Sequence, residues 1–308
     1  MASWEPRFVL GVEDICNAND IVAMSLLFSS EYRKHTLANV TLAEKALLNS
    51  HSSTYHCEVD FKDQISCFSR IEEHITKTIS NGISGNDIKV LLDITTMPRE
   101  IVWNCCRLLS DISADSEFVY YPPEKYHEEW LTNDADAPRL VLRSSGISRY
   151  GKPTALVIVT GYDAWRTSKA IVHYEPQCVR LGVQKGEQYG NIQRNAEEQK
   201  RLLKPQIDNI TFFDFDSYKP SFGYELLSET VAILLPDYNV LLTSQGPKPS
   251  AIACFNVVTY CPKVGLFYVP SREYNLEYSS GIDLTAVVRR SINFALPQAQ
   301  NSEMTQFS

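Results

Sequence analysis

Two short stretches of this chain carry the residue types that hold an anion against the start of a helix. Ser244-Gln245-Gly246-Pro247-Lys248 sets small and hydroxylic residues before an apolar segment and ends on a cation. Backbone N–H groups at such a turn face a ligand, and the Lys adds charge. Thr95-Thr96-Met97-Pro98-Arg99 repeats the same arrangement of hydroxyls, Pro and cation. A plain strand-to-helix turn with Pro in the first helical position accounts for either segment equally well.

Ligands in open parallel sheets bind beyond the carboxyl ends of the strands, and that rule extends the candidate set. It adds Gly11, Gly161, Asp163 and Arg166, each following an apolar run that reads as a buried strand. Asp14 and Asp163 also suit helix N-caps. If the chain is an enzyme, the candidates are Asp93, Arg99, Asp214 and Lys248, acting as a phosphodiesterase or nucleotide hydrolase. The acidic spacings carry no metal-ligand signature. No GxSxG, GxxxxGK[ST], GxGxxG or HExxH motif is present. Tyr120, Tyr121 and Tyr126, with Tyr268, Tyr274 and Tyr278, supply either stacking faces for a base or cover for a sheet edge.

The elements that must position these groups recur along the chain. Phe8–Asp14 answers Leu156–Asp163, placing Gly11 on Gly161. Leu91–Arg99 answers Val240–Lys248, placing Arg99 on Lys248. Phe118–Tyr126 answers Phe267–Tyr274, and Ser144-Ser-Gly-Ile147 answers Ser279-Ser-Gly-Ile282. Four matches in one order predict an internal duplication. Trp130–Pro138 then reads as a polar loop inserted in the first copy.

Strands are expected at Ala155–Val159, Cys178–Val183, Ile210–Phe215, Val240–Ser244 and Val264–Val269, with helices at Asp163–Tyr174, Asn195–Leu203, Pro220–Leu235 and Pro249–Tyr260. In the first copy, strands are expected at Phe8–Asp14, Val40–Leu42, His56–Phe61 and Ile88–Ile94. Helices are expected there at Asp63–Ser80 and Ile101–Leu109. Alternating strands and helices predict an α/β fold of two Rossmann-like units with mainly parallel sheets, packed about a pseudo-twofold axis. The copies are expected at 1–150 and 151–296, with a flexible C-terminal tail at 297–308.

Composition narrows the partners. The 308 residues carry 29 Lys and Arg against 37 Asp and Glu, a net charge of −8, which opposes extended nucleic-acid binding. No apolar run reaches the ~20 residues of a membrane helix, so a cytoplasmic protein with no membrane partner is expected. Eight Cys without a CxxC pair suit buried free thiols in a reducing compartment.

A strand, a turn with hydroxyls and Gly, a Lys and then a helix, used as a pair, resembles the CARF and related sensor domains of prokaryotic antiviral systems. Those domains usually carry a Thr-Gly-Gly-Thr-Lys type of turn where this chain has Thr243-Ser-Gln-Gly-Pro-Lys248. The resemblance implies binding of cyclic or linear oligonucleotide messengers across a twofold axis and a separate effector protein. Recognition of a nucleotide-like or other small phosphorylated ligand is therefore the leading expectation; a hydrolase in the same cleft and a scaffold working through protein partners are the alternatives. The cofactor stays unknown. The turns also predict unequal copies, with Lys248 on the ligand and Arg99 paired internally with Asp93.

Overall fold

The computed structural model describes residues 1–19, 21–49, 53–82, 89–112, 115–185, 197, 201 and 209–294. It is a mixed α/β protein with seven helices among these residues. The expected helix at Asn195–Leu203, apart from positions 197 and 201, and the expected tail at 297–308 lie outside the described residues.

The second half is built around β8 (Thr154–Val159), an unbroken apolar run buried along five of its six positions, as a strand covered on both faces requires. From β8 the chain passes through α5 (Ala164–Tyr174) to β9 (Cys178–Gln184) and on to β10 (Ile210–Phe215). It returns through α6 (Tyr224–Leu234) to β11 (Asn239–Ser244) on the other side of β8, then through α7 (Pro249–Tyr260) to β12 (Gly265–Tyr268). The strand order is β10-β9-β8-β11-β12, all parallel. Strand order therefore reverses between β8 and β11, where a doubly wound sheet opens a crevice.

The first half contains α1 (Pro6–Ala18), β1 (Ala23–Ser29), α2 (Arg33–Asn49), β2 (Ser53–Val59), α3 (Gln64–Gly82), β3 (Lys89–Asp93), α4 (Arg99–Asp111) and β4 (Asp115–Tyr120). β1 and β2 form one parallel ladder and β3 and β4 another. The first residues lie beside β1 and the turn after β3: Ala2 N–H donates to the Leu27 carbonyl at 2.9 Å, and Thr96 Oγ1 donates to the Met1 carbonyl at 2.6 Å.

Two expected strands are helices. Phe8–Asp14 lies within α1, where Pro6 sits at the helix start and Phe8, Val12 and Ile15 fall on one buried face. Val40–Leu42 lies within α2, where Val40, Ala43 and Leu47 pack with Phe8 and Val12. Both short apolar runs belong to a period of 3.6 residues rather than 2, which so few residues do not distinguish. Trp130–Pro138 is not only loop, because it contains β6 (Thr132–Ala135).

Four antiparallel ladders tie the halves together. β5 (Lys125–Tyr126) pairs with β14 (Ser279–Ser280), and β6 pairs with β13 (Ser271–Tyr274). β7 (Arg139–Leu140) joins the edge of β12, making that sheet six-stranded, while β15 (Val288–Ser291) joins β4. Arg139 is fixed there by Glu100 in the first turn of α4, with Nε to Oε1 at 3.0 Å. The turn before β8 is tight: a Cβ on Gly146 (φ +74°) would lie 2.5 Å from the Gly265 nitrogen.

The main apolar core runs through both halves, with α4 against α7 at its centre. Trp103 on α4 is fully buried, and its Nε1–H donates to the Ala251 carbonyl on α7 at 2.8 Å. Trp103→Ala should cost about 3–5 kcal/mol of stability through the cavity it opens. A denaturant melt that moves by less than ~1 kcal/mol would show that the α4–α7 contact is not a main support.

Candidate functional site

The carboxyl ends of β1, β3, β8 and β11 converge on a cavity of about 190 Å³ between the halves. Its floor is made by the turns after β3 and β11, and its walls by the start of α1, the start of α5 and a set of tyrosines. Of the residues singled out in the sequence, Thr95, Thr96, Arg99, Gly161, Asp163, Arg166, Gln245, Gly246 and Lys248 line it, as do all the named tyrosines but Tyr121.

The two turns grip each other. Arg99 Nη2 donates to the Gln245 carbonyl at 3.1 Å and to the Gly246 carbonyl, while Lys248 Nζ donates to the Thr95 carbonyl at 2.6 Å. Arg99 therefore does not form the expected pair with Asp93. Asp93 instead accepts the Thr95 backbone N–H at 2.9 Å, closing its own turn. The reason is reach: the Arg99 fork extends across the interface, whereas Asp93 lies two residues from a free N–H.

Two further arginines frame the cavity. Arg7 is almost fully buried and donates to Glu5 Oε2 at 2.5 Å, Ser279 Oγ at 3.1 Å and the Tyr121 carbonyl at 2.9 Å. Arg166 reaches the Val269 carbonyl through Nε at 2.9 Å and also through Nη2. Their guanidinium carbons lie 5.9 Å from the Tyr126 ring centre and 5.6 Å from that of Tyr268. Tyr120 and Tyr126 join hydroxyls at 3.0 Å, and Tyr268 and Tyr274 do so at 3.4 Å. Burial raises the phenols of Tyr126 and Tyr274 well above their ordinary range and also raises that of Tyr278, so these hydroxyls keep their protons.

Charge at the site is one-sided. Glu5 forms an ion pair with Arg7. Burial opposes ionisation of Glu5, but Arg7 and Lys248 outweigh it and hold the carboxyl below its usual range. Among the described residues, Arg99, Arg166 and Lys248 have no carboxylate partner within 4.0 Å; their partners are backbone carbonyls. Burial, and then the charge of Arg166, lower the pKa of Arg99. Burial brings Lys248 down to about 7, against the opposing pull of Glu5 and Asp93 and with help from Arg7 and Arg99.

Several buried polar atoms on this wall have no partner among the described residues: Arg99 Nε, Gln245 Nε2, Trp4 Nε1 and Ser29 Oγ. Gln245 is held from behind, its Oε1 accepting from Thr167 Oγ1 at 2.9 Å, so the amide nitrogen is the end left over. Asp163 caps α5 through the Trp165 N–H at 3.0 Å.

Other expected site residues lie elsewhere. Gly11 is inside α1 against the Tyr121 ring, and Asp14, rather than capping a helix, accepts from the Tyr121 hydroxyl at 2.7 Å. Ser244 is buried and bonds Ser250 Oγ at 2.6 Å, securing the start of α7. Asp214 faces solvent in an ion pair with Lys185. The four residues considered for hydrolysis are thus not gathered: Arg99 and Lys248 line the cavity, and Asp93 and Asp214 do not. No cluster of three His, Cys, Asp or Glu suited to a metal occurs among the described residues. None of their helices is long and apolar enough to cross a membrane.

Arg7, Trp4, Ser29 and Tyr32 line the cavity without having been legible as site residues. Nothing in their local sequence marks them: Trp4 and Arg7 come to the cavity with the start of α1, Ser29 as the last residue of β1 and Tyr32 in the turn that follows it. Compared with known proteins, the chain matches no family model and no curated sequence.

Two outcomes follow. Gly161 lies so close to β11 that a Cβ would meet the Gln245 carbonyl oxygen at 1.9 Å. Gly161→Ala should therefore displace the Gln245 turn and destabilise the protein by at least ~2 kcal/mol; an unchanged melt would contradict this packing. Lys248 titrates near 7 folded and near 10.5 unfolded. Between those values the unfolded chain holds a proton that the folded chain lacks, so this group makes stability rise with pH. Lys248→Met should thus be stabilising at pH 6, and its advantage over the wild type should shrink by pH 9. A pH-independent difference in chemical denaturation would refute the lowered pKa.

Proposed function

We propose that the cavity binds a small phosphorylated, nucleotide-like ligand, and that the chain works as a ligand sensor built from two copies of one Rossmann-like unit related by a pseudo-twofold axis. The observation that carries this reading is the set of three desolvated cations, Arg99, Arg166 and Lys248, without carboxylates, beside the idle donors Arg99 Nε and Gln245 Nε2. Unpaired buried charge is costly, and an anion relieves it while satisfying both donors. The place agrees with the rule for doubly wound sheets, because the cavity opens where β8 and β11 part.

The duplication is supported by repeated wiring: Tyr120 with Tyr126 and Tyr268 with Tyr274, Arg7 on Tyr121 and Arg166 on Val269, Arg99 and Lys248 exchanged across the interface. A ligand bridging Arg99 and Lys248 contacts both halves at once and loads the α4–α7 contact. That is a route from binding to a separate effector protein, in line with the antiviral sensors the turns resemble.

A thermal-shift screen tests the reading with nucleoside mono- and triphosphates, cyclic and linear oligonucleotides, and inorganic phosphate. A ligand at 100 times its Kd adds about 2.7 kcal/mol. Arg99→Ala should weaken a hit by roughly 1.5–3 kcal/mol, the range for a hydrogen bond to a charged group. No shift with any phosphorylated compound would overturn the proposal and favour a scaffold.

A further inference from the structure

The part of the cavity wall around Trp4 differs in chemistry from the part around Arg99. The only charges that α1 brings to it, Glu5 and Arg7, neutralise each other in a buried pair, with Ser279 Oγ also donating to Glu5 at 2.5 Å. An anion gains nothing there, because it would face the Glu5 carboxylate.

What this wall does offer is flat apolar surface and two idle neutral groups. The Trp4 and Tyr32 rings lie 4.9 Å apart at 38°, and Tyr274 meets both edge-on, at 6.2 Å from Trp4 and 5.7 Å from Tyr32. The rings thus hold one another in place, which fixes the direction of the indole N–H. Trp4 Nε1 is buried without a partner among the described residues, and so is Oγ of Ser29, a residue only 3% exposed at the end of β1. Both line the cavity. An indole N–H only donates, so its missing partner is an acceptor, and a neutral one given the charge balance. Carbonyl oxygens and ring nitrogens on the edge of a planar heterocycle meet that description, and the aromatic walls suit its faces.

Resting on the reading of the cavity as a nucleotide site, we infer that Trp4 and Ser29 form a base-reading subsite, in which the indole N–H and the Ser29 hydroxyl hydrogen-bond the edge of the nucleobase while Arg99, Arg166 and Gln245 hold its phosphate. The nearby groups of the second half differ: Asp163, Gln184 and Lys185 line the cavity there. The site is therefore built for a ligand with one neutral heteroaromatic end rather than for a bare polyphosphate.

The experiment measures affinities of wild type, Trp4→Phe, Ser29→Ala and Arg99→Ala by calorimetry. Its probes are the nucleotide that gives the largest thermal shift, ribose 5-phosphate and inorganic pyrophosphate. Trp4→Phe keeps a ring and removes only the donor, so it should weaken the nucleotide about tenfold, as loss of one buried hydrogen bond does, and leave ribose 5-phosphate and pyrophosphate unchanged. Ser29→Ala should act in the same direction, and it keeps the test open if Trp4→Phe melts early. Arg99→Ala should weaken all three probes. Nucleotide affinity unchanged in both Trp4→Phe and Ser29→Ala, or equal losses for nucleotide and ribose 5-phosphate, would overturn the base-reading subsite and leave the nucleotide site standing. Failure of every probe to bind wild type would overturn the nucleotide site, and this subsite with it.

Discussion

Arg99 and Lys248 cross the middle of the molecule in opposite directions, and each ends on the backbone of the other's turn. Much of the rest of the structure serves that exchange. The carbonyls that receive the two cations are fixed because Gly161 lets β8 and the Gln245 turn lie in contact, and because Asp93 and Ser244 close their own turns locally. Carbonyl dipoles satisfy the hydrogen-bonding needs of a cation without cancelling its charge. The two cations are therefore hydrogen-bonded without being neutralised, and Arg99 Nε and Gln245 Nε2 are left without a partner among the described residues, which makes the interface costly as a purely structural core.

The helices explain how such a cluster survives folding. α4 and α7 carry the two turns at their starts, and they pack along a shared apolar core in which Trp103 ties one to the other. Burying that core offsets the cost of bringing Arg99 near Arg166. The antiparallel ladders add a second constraint, since β7 and β15 each finish a sheet begun by the other half. Neither half is complete without the other's strand, so the spacing of the two turns is set by sheet geometry rather than by the charges.

The walls divide the labour by charge. Arg7 is neutralised by Glu5 and serves to anchor α1 on Tyr121 and Ser279, whereas Arg166 meets only a carbonyl. Two arginines over tyrosine rings, Arg7 over Tyr126 and Arg166 over Tyr268, thus end in different electrostatic states, and one glutamate makes the difference. Both turn cations cross the interface, and Met97 of the first turn is buried in the core.

The sequence by itself determined the parallel strands and three helices of the second half, because β8 is an unbroken apolar run and helices begin at Asp163 and Pro249, whose chemistry is local. It also determined the two turns that form the floor of the cavity, since hydroxyls, Pro and a cation before a helix are legible at short range. Only the tertiary structure decided the rest. Phe8–Asp14 and Val40–Leu42 are apolar runs too short to reveal their period, and their packing on each other made them helices. The Asp93–Arg99 pair was excluded by a carbonyl more than a hundred residues away in sequence. Trp4, Arg7 and Ser29 carry no local signal at all; Trp4 and Arg7 reach the cavity because α1 docks beside β14 and Ser29 because β1 ends there, placements set by long-range burial that no spacing along the chain encodes.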